Sequence, residues 1–451
     1  MWDSSLIIML IIFTLTIVFM LWRPMNVNET IPTTIGAAFV LIVGIVSWTD
    51  IVDIIGIVSG PSLTIISTIM MSIVLESVGF FKWIAINIVQ RSKGSGIKLY
   101  IYTNLLCFFM TMLFNNDGSI LITTPIIIRI IQLLKFKPHQ MFPYLISGAI
   151  IATAASAPIA VSNISNLIAL KIVGLSLNTY VKMMFVPSMI GIFIIGWLLF
   201  LYFKKDIPKI TSPISFKRAK LHSPHLYTHP LDPTSNEEDI DWNMFKVCLI
   251  IIVATRAGFF VLTPFGISLE LIGLLGASIL IAFRWIRKGT GIMDVLKNTP
   301  WHIFLFAFNM YVLVYGLKNV HLNELIVSSL KGFVAQDALQ ATIIMGVLST
   351  IFSNLVNNLP AVMISTMAIV DMELDPHITQ IAYLANVIGS DIGALLTPIG
   401  TLATLIWMFE LKKYGVKMTW GKYLKVTLIV IPIGLFVSLF SLYLWVMLFV
   451  Q

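Results

Sequence analysis

The stretch Phe114-Asn115-Asn116-Asp117-Gly118 interrupts an apolar run of the chain with two amides and a carboxylate. The residues 106–113 before it and 120–128 after it are predominantly apolar, as in a membrane segment. Polar and ionisable groups are costly at membrane depth, so their presence there indicates a function. A second apolar run carries a similar interruption, Asn357-Asn358-Leu359-Pro360. The two Asn-Asn pairs are therefore the first functional hypothesis.

The composition supports a location in the membrane. The 451 residues are 58% hydrophobic and 11% charged, with a mean hydropathy of +0.95, whereas soluble domains carry roughly 25% charged residues. Many windows of about 20 mostly apolar residues predict an all-α polytopic membrane protein and exclude a barrel of short strands. The N-terminus leads directly into the first apolar window without the basic region and cleavage site of a signal peptide, so we expect this span to be retained.

Hydropathy predicts ten membrane spans and leaves two further apolar stretches, 98–134 and 338–370. Each of these stretches is long enough for two limbs and carries one Asn-Asn pair in its middle. The ten predicted spans are 5–22, 31–49, 61–88, 142–172, 178–203, 245–262, 268–285, 301–317, 379–408 and 424–449.

The charges predict that both remaining stretches are re-entrant hairpins. Three basic residues precede the stretch 98–134 or open it, and three close or follow it, so a single crossing would leave one cluster outside. A hairpin that enters and leaves from the cytoplasm keeps both clusters inside. Acidic residues follow the second stretch, so it can enter from the opposite side. The residues are Arg91, Lys93, Lys98, Arg129, Lys135 and Lys137 for the first hairpin, and Asp371, Glu373 and Asp375 for the second.

Two sequence landmarks recur at nearly one offset. Asn358 follows Asn116 by 242 residues, and Pro398 follows Pro158 by 240. Five spans and one hairpin per half would invert the second copy, which is the inverted-repeat plan of secondary transporters. We therefore predict a first repeat at 1–203, a cytoplasmic linker at 204–243 and a second repeat at 244–451.

This topology places both termini outside the cytoplasm and the basic loops inside it. The net charge of +8 follows from the tendency of Lys and Arg to gather in cytoplasmic loops, and no nucleic-acid partner is predicted. The linker carries three histidines, but no nearby cysteine or strongly placed carboxylate completes a metal site, so no metal is predicted. These histidines are His222, His225 and His229.

The second landmark of each half is a segment that predicts a broken helix, 156–166 around Pro158 and 389–404 around Pro398. Proline removes a helical hydrogen bond and glycine admits otherwise forbidden backbone angles. Unwound backbone at membrane depth presents N–H and C=O groups to whatever binds there. The alternative interpretation is that these prolines only kink packed helices. Glu76 and Arg256 are also predicted inside spans, as a proton relay or as a structural ion pair.

Several segments, taken in order, resemble the arsenite permease (ArsB) family of the ion transporter superfamily. They extend over nearly the whole chain, and the ordered set is more specific than any one motif. The segments are 76–83 (ESVGFFKW), 116–118 (NDG) followed by 124–125 (TP), Pro158 through 162–163 (SN) to Asn166, 300–302 (PWH) through 310–311 (MY) to 314–317 (VYGL), 357–360 (NNLP) and 397–405 (TPIGTLATL).

The resemblance implies an elevator-like or rocking carrier that exports trivalent arsenic or antimony and is driven by the proton gradient. Some members of the family act with an associated ATPase subunit. This chain contains no Gly-x-x-x-x-Gly-Lys-Ser/Thr segment of its own, so ATP coupling would require a separate protein.

The resemblance also implies site residues at the hairpin tips and in the broken helices. Neutral As(OH)3 resembles a polyol that amides and hydroxyls can hydrogen-bond without a compensating charge. A buried carboxylic acid can take up and release the coupling proton. The predicted solute-binding residues are Asn116, Ser162, Asn163, Asn166, Asn357, Asn358, Thr397, Thr401 and Thr404, and the predicted coupling residues are Asp117, Asp391 and Glu76.

Two other functions stay open at this point. A sodium/proton antiporter or a sodium-coupled dicarboxylate carrier could use the same scaffold, although an anion carrier needs cations or bare helix N-termini at the tips, and the hairpin tips and broken helices contain no Lys or Arg. The chain shows no His-Glu zinc motif, no Gly-x-Ser-x-Gly and no nucleophile with an evident base. We therefore predict neither an enzyme nor a cofactor.

Overall fold

A computed structural model of the protein describes residues 4–24, 27–211, 241–289 and 292–449. Within these ranges every regular element is an α-helix or a short 3-10 helix. Eight of the described helices are long and apolar enough to cross a membrane, and a ninth results if one bent pair of helices is a single span. The chain is a polytopic all-α membrane protein, as its composition predicts.

The described part of the first half contains nine α-helices. A 3-10 turn at Ala160–Ser162 separates the seventh from the eighth. They are α1 (Ser4–Trp22), α2 (Thr30–Ile42), α3 (Trp48–Ser77), α4 (Phe80–Ser92), α5 (Gly96–Leu113), α6 (Asn116–Leu133), α7 (Pro138–Ala154), α8 (Ile164–Val173) and α9 (Leu177–Phe203).

The second half, over its described residues, contains ten α-helices in a matching order, with the short α12 as an addition. A 3-10 turn at Gly393–Leu396 again lies before the penultimate helix. They are α10 (Trp242–Val261), α11 (Leu269–Lys288), α12 (Met293–Asn298), α13 (His302–Asn319), α14 (Leu322–Val334), α15 (Ala338–Val356), α16 (Asn358–Asp371), α17 (Pro376–Asp391), α18 (Leu402–Lys413) and α19 (Trp420–Phe449).

The predicted count of ten spans stays a prediction, because the helices divide the apolar sequence differently. The stretches 142–172 and 379–408 each form two shorter helices around a break, α7 with α8 and α17 with α18. The stretch 31–49 forms the 13-residue α2. Conversely, the hairpin limbs α5 and α15 are themselves long and apolar enough to count as spans.

The predicted limits of the third span, 61–88, are wrong. The helix begins at Trp48, because the Ser47 side chain accepts a hydrogen bond from the Asp50 N–H and Asp50 accepts one from the Ser47 N–H. It ends at Ser77, and Gly79 with a φ of 83° turns the chain into the separate α4. Pro61 is accommodated inside α3 without ending it.

The two Asn-Asn pairs lie at helix junctions, as the sequence predicts. Asn115 separates α5 from α6, and Asn357, with a φ of 82°, separates α15 from α16. The limbs of each junction pack on each other and on the next helix, α7 or α17. The side of the membrane from which each hairpin enters stays a prediction.

The last helices of the two halves, α9 and α19, cross each other through small residues. A Cβ atom on Gly191 of α9 would lie 1.7 Å from the Ser438 hydroxyl oxygen of α19, and one on Gly434 would lie 2.3 Å from Ile195. Such close contact is typical of helix packing in membranes. Helices α3 with α11 and α2 with α13 also pack across the halves, so the two halves form one interleaved body.

The predicted linker, 204–243, lies mostly outside the described residues, together with its three histidines. Helix α9 ends at Phe203 before it, and α10 begins at Trp242 after it.

Candidate functional site

Each Asn-Asn pair uses its first residue to begin a helix. The Asn115 side-chain oxygen accepts a hydrogen bond of 2.6 Å from the Gly118 N–H, which caps α6. Asn357 occupies the same position in front of α16, and its side-chain amide also donates to the Ile399 carbonyl at 3.0 Å. The second residues, Asn116 and Asn358, are then the first residues of their helices and are almost completely buried.

Both predicted helix breaks are present. Helix α7 ends at Ala154 and α8 begins after Asn163, whose extended backbone allows its side chain to cap the helix. Helix α17 ends at Asp391 and α18 begins after Thr401, which caps it through a 3.0 Å bond from the Thr404 N–H. The prolines therefore lie in unwound segments and do not merely kink continuous helices.

Four capped helix N-termini arise from these junctions and breaks, those of α6, α8, α16 and α18. Helix α16 packs against α8 of the other half, and α6 packs against α18. Because a helix N-terminus carries a partial positive charge and oriented N–H groups, this crosswise packing brings polar backbone ends from both halves into the protein interior.

Asp391 joins the two halves at this place. Its carboxylate is fully buried and accepts three hydrogen bonds from the first-half break: from Ser156 Oγ at 2.9 Å, from Asn163 Nδ2 at 2.8 Å and from Asn166 Nδ2 at 2.7 Å. Tyr383, about two helical turns earlier in α17, donates to the Asn166 carbonyl at 3.1 Å. A carboxylate that accepts this many bonds holds its surroundings firmly in place.

Asp117 has a different environment. It lies in the first turn of α6, is 6% exposed, and its Oδ1 atom has no hydrogen-bond partner in the described part of the chain. Asp391 and Glu29 both lie close enough to repel its negative charge. Glu29 itself is paired with Arg23 at 2.8 Å. Asp117 is therefore the less satisfied of the two buried carboxylates.

Several buried oxygen atoms of the site lack a donor. Besides Asp117 Oδ1, the Asn116 Oδ1, Asn166 Oδ1 and Ser162 Oγ atoms have no hydrogen-bond partner among the described residues. Unpaired buried polar atoms are uncommon and call for a specific explanation. All four belong to the residues that the sequence singles out at the first hairpin tip and the first break.

The remaining predicted residues divide into two groups. Thr397 and the Thr401–Thr404 pair stabilise the second break, the latter through hydroxyls 2.8 Å apart, and Asn358 lies at the start of α16. Glu76, in contrast, is exposed near the C-terminal end of α3. No hydrogen bond or ion pair described for the structure joins Glu76 to Asp117 or Asp391.

Sequence reasoning missed two residues that shape the site. Ser156 donates to Asp391, and Asn354 of α15 accepts from both the N–H and the hydroxyl of Thr397, each at 2.8 Å. The amide of Asn354 also donates to the Gly393 carbonyl at 2.9 Å. Asn354 could have been found as a polar residue in an apolar helix, one turn before the Asn357 junction.

Within the described ranges, no group of three or more His, Cys, Asp or Glu side chains is arranged to hold a metal ion. The two cysteines, Cys107 and Cys248, are buried and form no disulfide.

Replacing Gly400 with alanine should destabilise the second break. A Cβ atom there would lie 1.9 Å from the Ala394 carbonyl oxygen, which is backbone and cannot move independently. We expect a clear fall in the thermal unfolding temperature in detergent and little transport. Gly421→Ala is the matched control, because a Cβ atom at Gly421 meets nothing within 4 Å; equal stability of the two variants would contradict the described break.

The family model described as arsenical pump membrane protein (ArsB) matches residues 8–446 of this chain. A Bacillus subtilis (strain 168) protein that carries this name provisionally is 48% identical over 439 residues, which cover 96% of this chain and 98% of that protein. The arsenical pump membrane protein of Escherichia coli (strain K12) is 34% identical over 433 residues, covering 96% and 97%. That of Yersinia enterocolitica is 32% identical over the same length.

Proposed function

Since this chain belongs to the arsenical pump membrane protein family, we propose that it is a secondary active transporter that exports arsenite and antimonite across the cell membrane. Protons move in the opposite direction and drive the export. The solute binds between the hairpin tips and the broken helices, at the predicted solute-binding residues.

The observation that carries the choice of solute is the set of unpaired buried oxygen atoms. Neutral As(OH)3 offers three O–H donors, and Asn116, Ser162 and Asn166 offer acceptors that lack a donor in the described part of the protein. Burying such atoms without a donor costs about 1 to 3 kcal/mol each. A small neutral solute with several hydroxyls would supply the donors and so favours binding at this place.

Two contacts, one in each half, correspond at nearly one sequence offset and support an inverted repeat. A Cβ atom on Gly36 of α2 would lie 2.2 Å from Thr16 Oγ1 of α1, and one on Gly276 of α11 would lie 2.2 Å from Thr255 Oγ1 of α10. Each threonine hydroxyl donates to the carbonyl four residues earlier, at 2.7 and 2.8 Å. The same packing thus recurs 239 to 240 residues later.

The crossing of α9 and α19 has the symmetry that such a repeat requires. Gly191 meets Ser438, and Gly434 meets Ile195. One offset of 243 residues relates the two contacts, because it carries Gly191 onto Gly434 and Ile195 onto Ser438. Each contact is therefore the image of the other. We propose that a pseudo-two-fold axis passes through this crossing, and that the second half is inverted in the membrane as the charges predict.

Of the predicted coupling residues, Asp117 suits a proton carrier best. A carboxylate that takes up and releases a proton during transport must change its partners, and Asp117 has an oxygen without one. Asp391 has all the donors that an ionised carboxylate needs. We propose that Asp391 ties the first break to α17, whereas Asp117 binds the proton. Glu76 stays a weaker prediction, because its side chain is exposed.

Three further inferences accompany this proposal. We place both termini outside the cytoplasm and residues 204–243 inside it, on the distribution of basic residues alone. An ATPase subunit, if one acts with this chain, would bind at the cytoplasmic face. Transport by the isolated chain does not require it, since the proton gradient supplies the energy.

One observation favours a second candidate function. The four helix N-termini of α6, α8, α16 and α18 are suited to a negatively charged solute, so a sodium-coupled carrier of a dicarboxylate is the alternative that they favour; a sodium/proton antiporter would instead depend on buried carboxylates. The two buried carboxylates, Asp117 and Asp391, oppose an anionic solute in the same place.

The test is a transport assay on the purified chain reconstituted in liposomes. Arsenite, sodium and a dicarboxylate are each offered under an imposed proton gradient and, separately, under a sodium gradient. The proposal predicts arsenite accumulation that follows the proton gradient without sodium. Sodium-dependent uptake of the dicarboxylate, with no arsenite transport, would support the alternative and contradict the proposal.

A further inference from the structure

Arg256 is a cation buried in an apolar helix, and the proposed transport steps do not use it. It lies two-thirds of the way along α10 and is 9% exposed. A buried cation in a membrane helix is costly and normally has a partner with a complementary charge. The ion pairs described for the structure include none between Arg256 and a carboxylate.

The partners of Arg256 are the last carbonyl groups before the first hairpin tip. Its Nε atom donates to the Leu113 carbonyl and its Nη2 atom donates to the Phe114 carbonyl. Leu113 is the last residue of α5, and a helix C-terminus has unpaired carbonyl groups and a partial negative charge. Arg256 therefore caps α5 from another helix, three residues before Asp117.

The second hairpin lacks this device. Thr16 of α1 corresponds to Thr255 of α10 in their matching contacts with Gly36 and Gly276, so Ile17 occupies the position of Arg256 in the first half. An isoleucine cannot donate to the end of α15. That helix ends instead through the positive φ of Asn357.

We propose that Arg256 is a latch that holds the first hairpin tip against α10 and thereby favours the conformation described here over its alternate. This inference rests on the proposed inverted repeat. In such a carrier the two halves exchange conformations, so matched contacts stabilise both states equally, and only an unmatched contact biases the equilibrium. Arg256 is a positioning residue, because it acts on Asp117 through the backbone of residues 113 and 114.

The remaining nitrogen of the guanidinium makes the latch reversible. The Nη1 atom has no hydrogen-bond partner in the described ranges, although the side chain is buried. Part of the attraction between the cation and the carbonyl groups is therefore offset by incomplete solvation of the charge. A contact of this kind favours one state without fixing the protein in it.

The test measures amide hydrogen exchange of the full chain in detergent for the wild type, Arg256→Met and Arg256→Lys. We expect Arg256→Met to raise exchange in residues 106–120 by roughly tenfold or more, the size of a lost charge-assisted bond. Residues 348–362 of the second hairpin should be unchanged. Arg256→Lys, which keeps the cation and can reach one carbonyl, should give an intermediate value and covers the case in which Arg256→Met does not fold.

Arg284→Met is the matched control. Arg284 of α11 is a buried arginine, 5% exposed, and its partner is Asp294 of α12. It should leave residues 106–120 at the wild-type exchange rate. Unchanged exchange in the Arg256 variants, or an equal increase in both hairpins, would overturn the latch.

A transport measurement separates this inference from the proposed function. In Arg256→Met the half-saturating arsenite concentrations on the two sides of the membrane should shift in opposite directions, because the population of the two states shifts. A variant that is only less stable, without a change in the populations of the two states, would lose activity without these opposite shifts. If hydrogen exchange rises selectively at the first hairpin but the wild type does not transport arsenite, the latch stands and the proposed solute fails. If arsenite is transported but hydrogen exchange does not rise selectively at the first hairpin, only the latch fails.

Discussion

Replacing Asp391 with alanine is expected to abolish arsenite transport and to destabilise the protein. The change leaves Asn163 Nδ2 and Asn166 Nδ2 without the acceptor they share, whereas Ser156 Oγ keeps the Thr153 carbonyl at 2.7 Å as an acceptor. Unsatisfied buried donors cost about 1 to 3 kcal/mol each, so we expect a loss of about 3 kcal/mol or more. The measurements are thermal unfolding in detergent and arsenite uptake by everted membrane vesicles.

Asp53→Asn is the control for this change, since Asp53 is an exposed carboxylate on α3 with no described partner at the site. It should retain stability and transport. Asp391→Asn keeps the shape of the side chain but places an amide against at least one donor, so its stability should lie between those of the alanine variant and the wild type. An alanine variant as stable as the wild type would contradict the hydrogen-bonded tie between the halves.

Replacing Asp117 with asparagine is expected to remove proton coupling while leaving the fold intact. The side chain keeps its size, and the unpaired Oδ1 atom has no described donor that an amide would displace. Transport driven by an imposed proton gradient should fall to the level of vesicles without the protein, whereas the unfolding temperature should stay close to that of the wild type. This contrast with Asp391→Ala separates a coupling residue from a structural one.

Asp117→Glu supplies the matched variant. It keeps an ionisable group with a longer side chain, so we expect reduced transport that still follows the proton gradient. If Asp117→Asn transports arsenite at the wild-type rate under a proton gradient, Asp117 does not carry the proton, and Glu76 or Asp391 becomes the candidate.

The features that the sequence predicts best are those with a local physical cause. Asn115 and Asn357 interrupt apolar runs, and both form the helix junctions that their position predicts. The segments around Pro158 and Pro398 contain the residues that end helices, and both are unwound. The ArsB resemblance, carried by these same motifs, is confirmed by the family match.

The features that the sequence does not predict depend on distant partners. Nothing in the apolar run before Leu113 indicates that Arg256, 143 residues away, caps the end of α5. The three donors to Asp391 come from 225 to 235 residues away, and only the fold brings them together. The early start of α3 at Trp48 was missed for a different reason, because the capping pair Ser47 and Asp50 interrupts the hydropathy that the span prediction follows.

The two halves contribute different side chains to the site although part of their packing is similar. The matching contacts of Thr16 and Thr255 show closely similar packing in both halves, yet Leu359 stands where the first hairpin has Asp117, and Ile17 stands where α10 has Arg256. Each half therefore contributes a different chemistry to the space between the tips. In our proposal the first hairpin carries the proton site, and the second half contributes both Arg256, which holds that hairpin tip, and the carboxylate that holds the first break.

The most direct test of proton-coupled arsenite export measures proton movement evoked by arsenite in liposomes that contain the purified chain and a pH-sensitive dye, without sodium or ATP. An outward arsenite gradient should drive protons inward in wild-type liposomes, and Asp117→Asn should abolish this movement. Arsenite flux without any proton movement, or flux that requires sodium or ATP, would contradict the account.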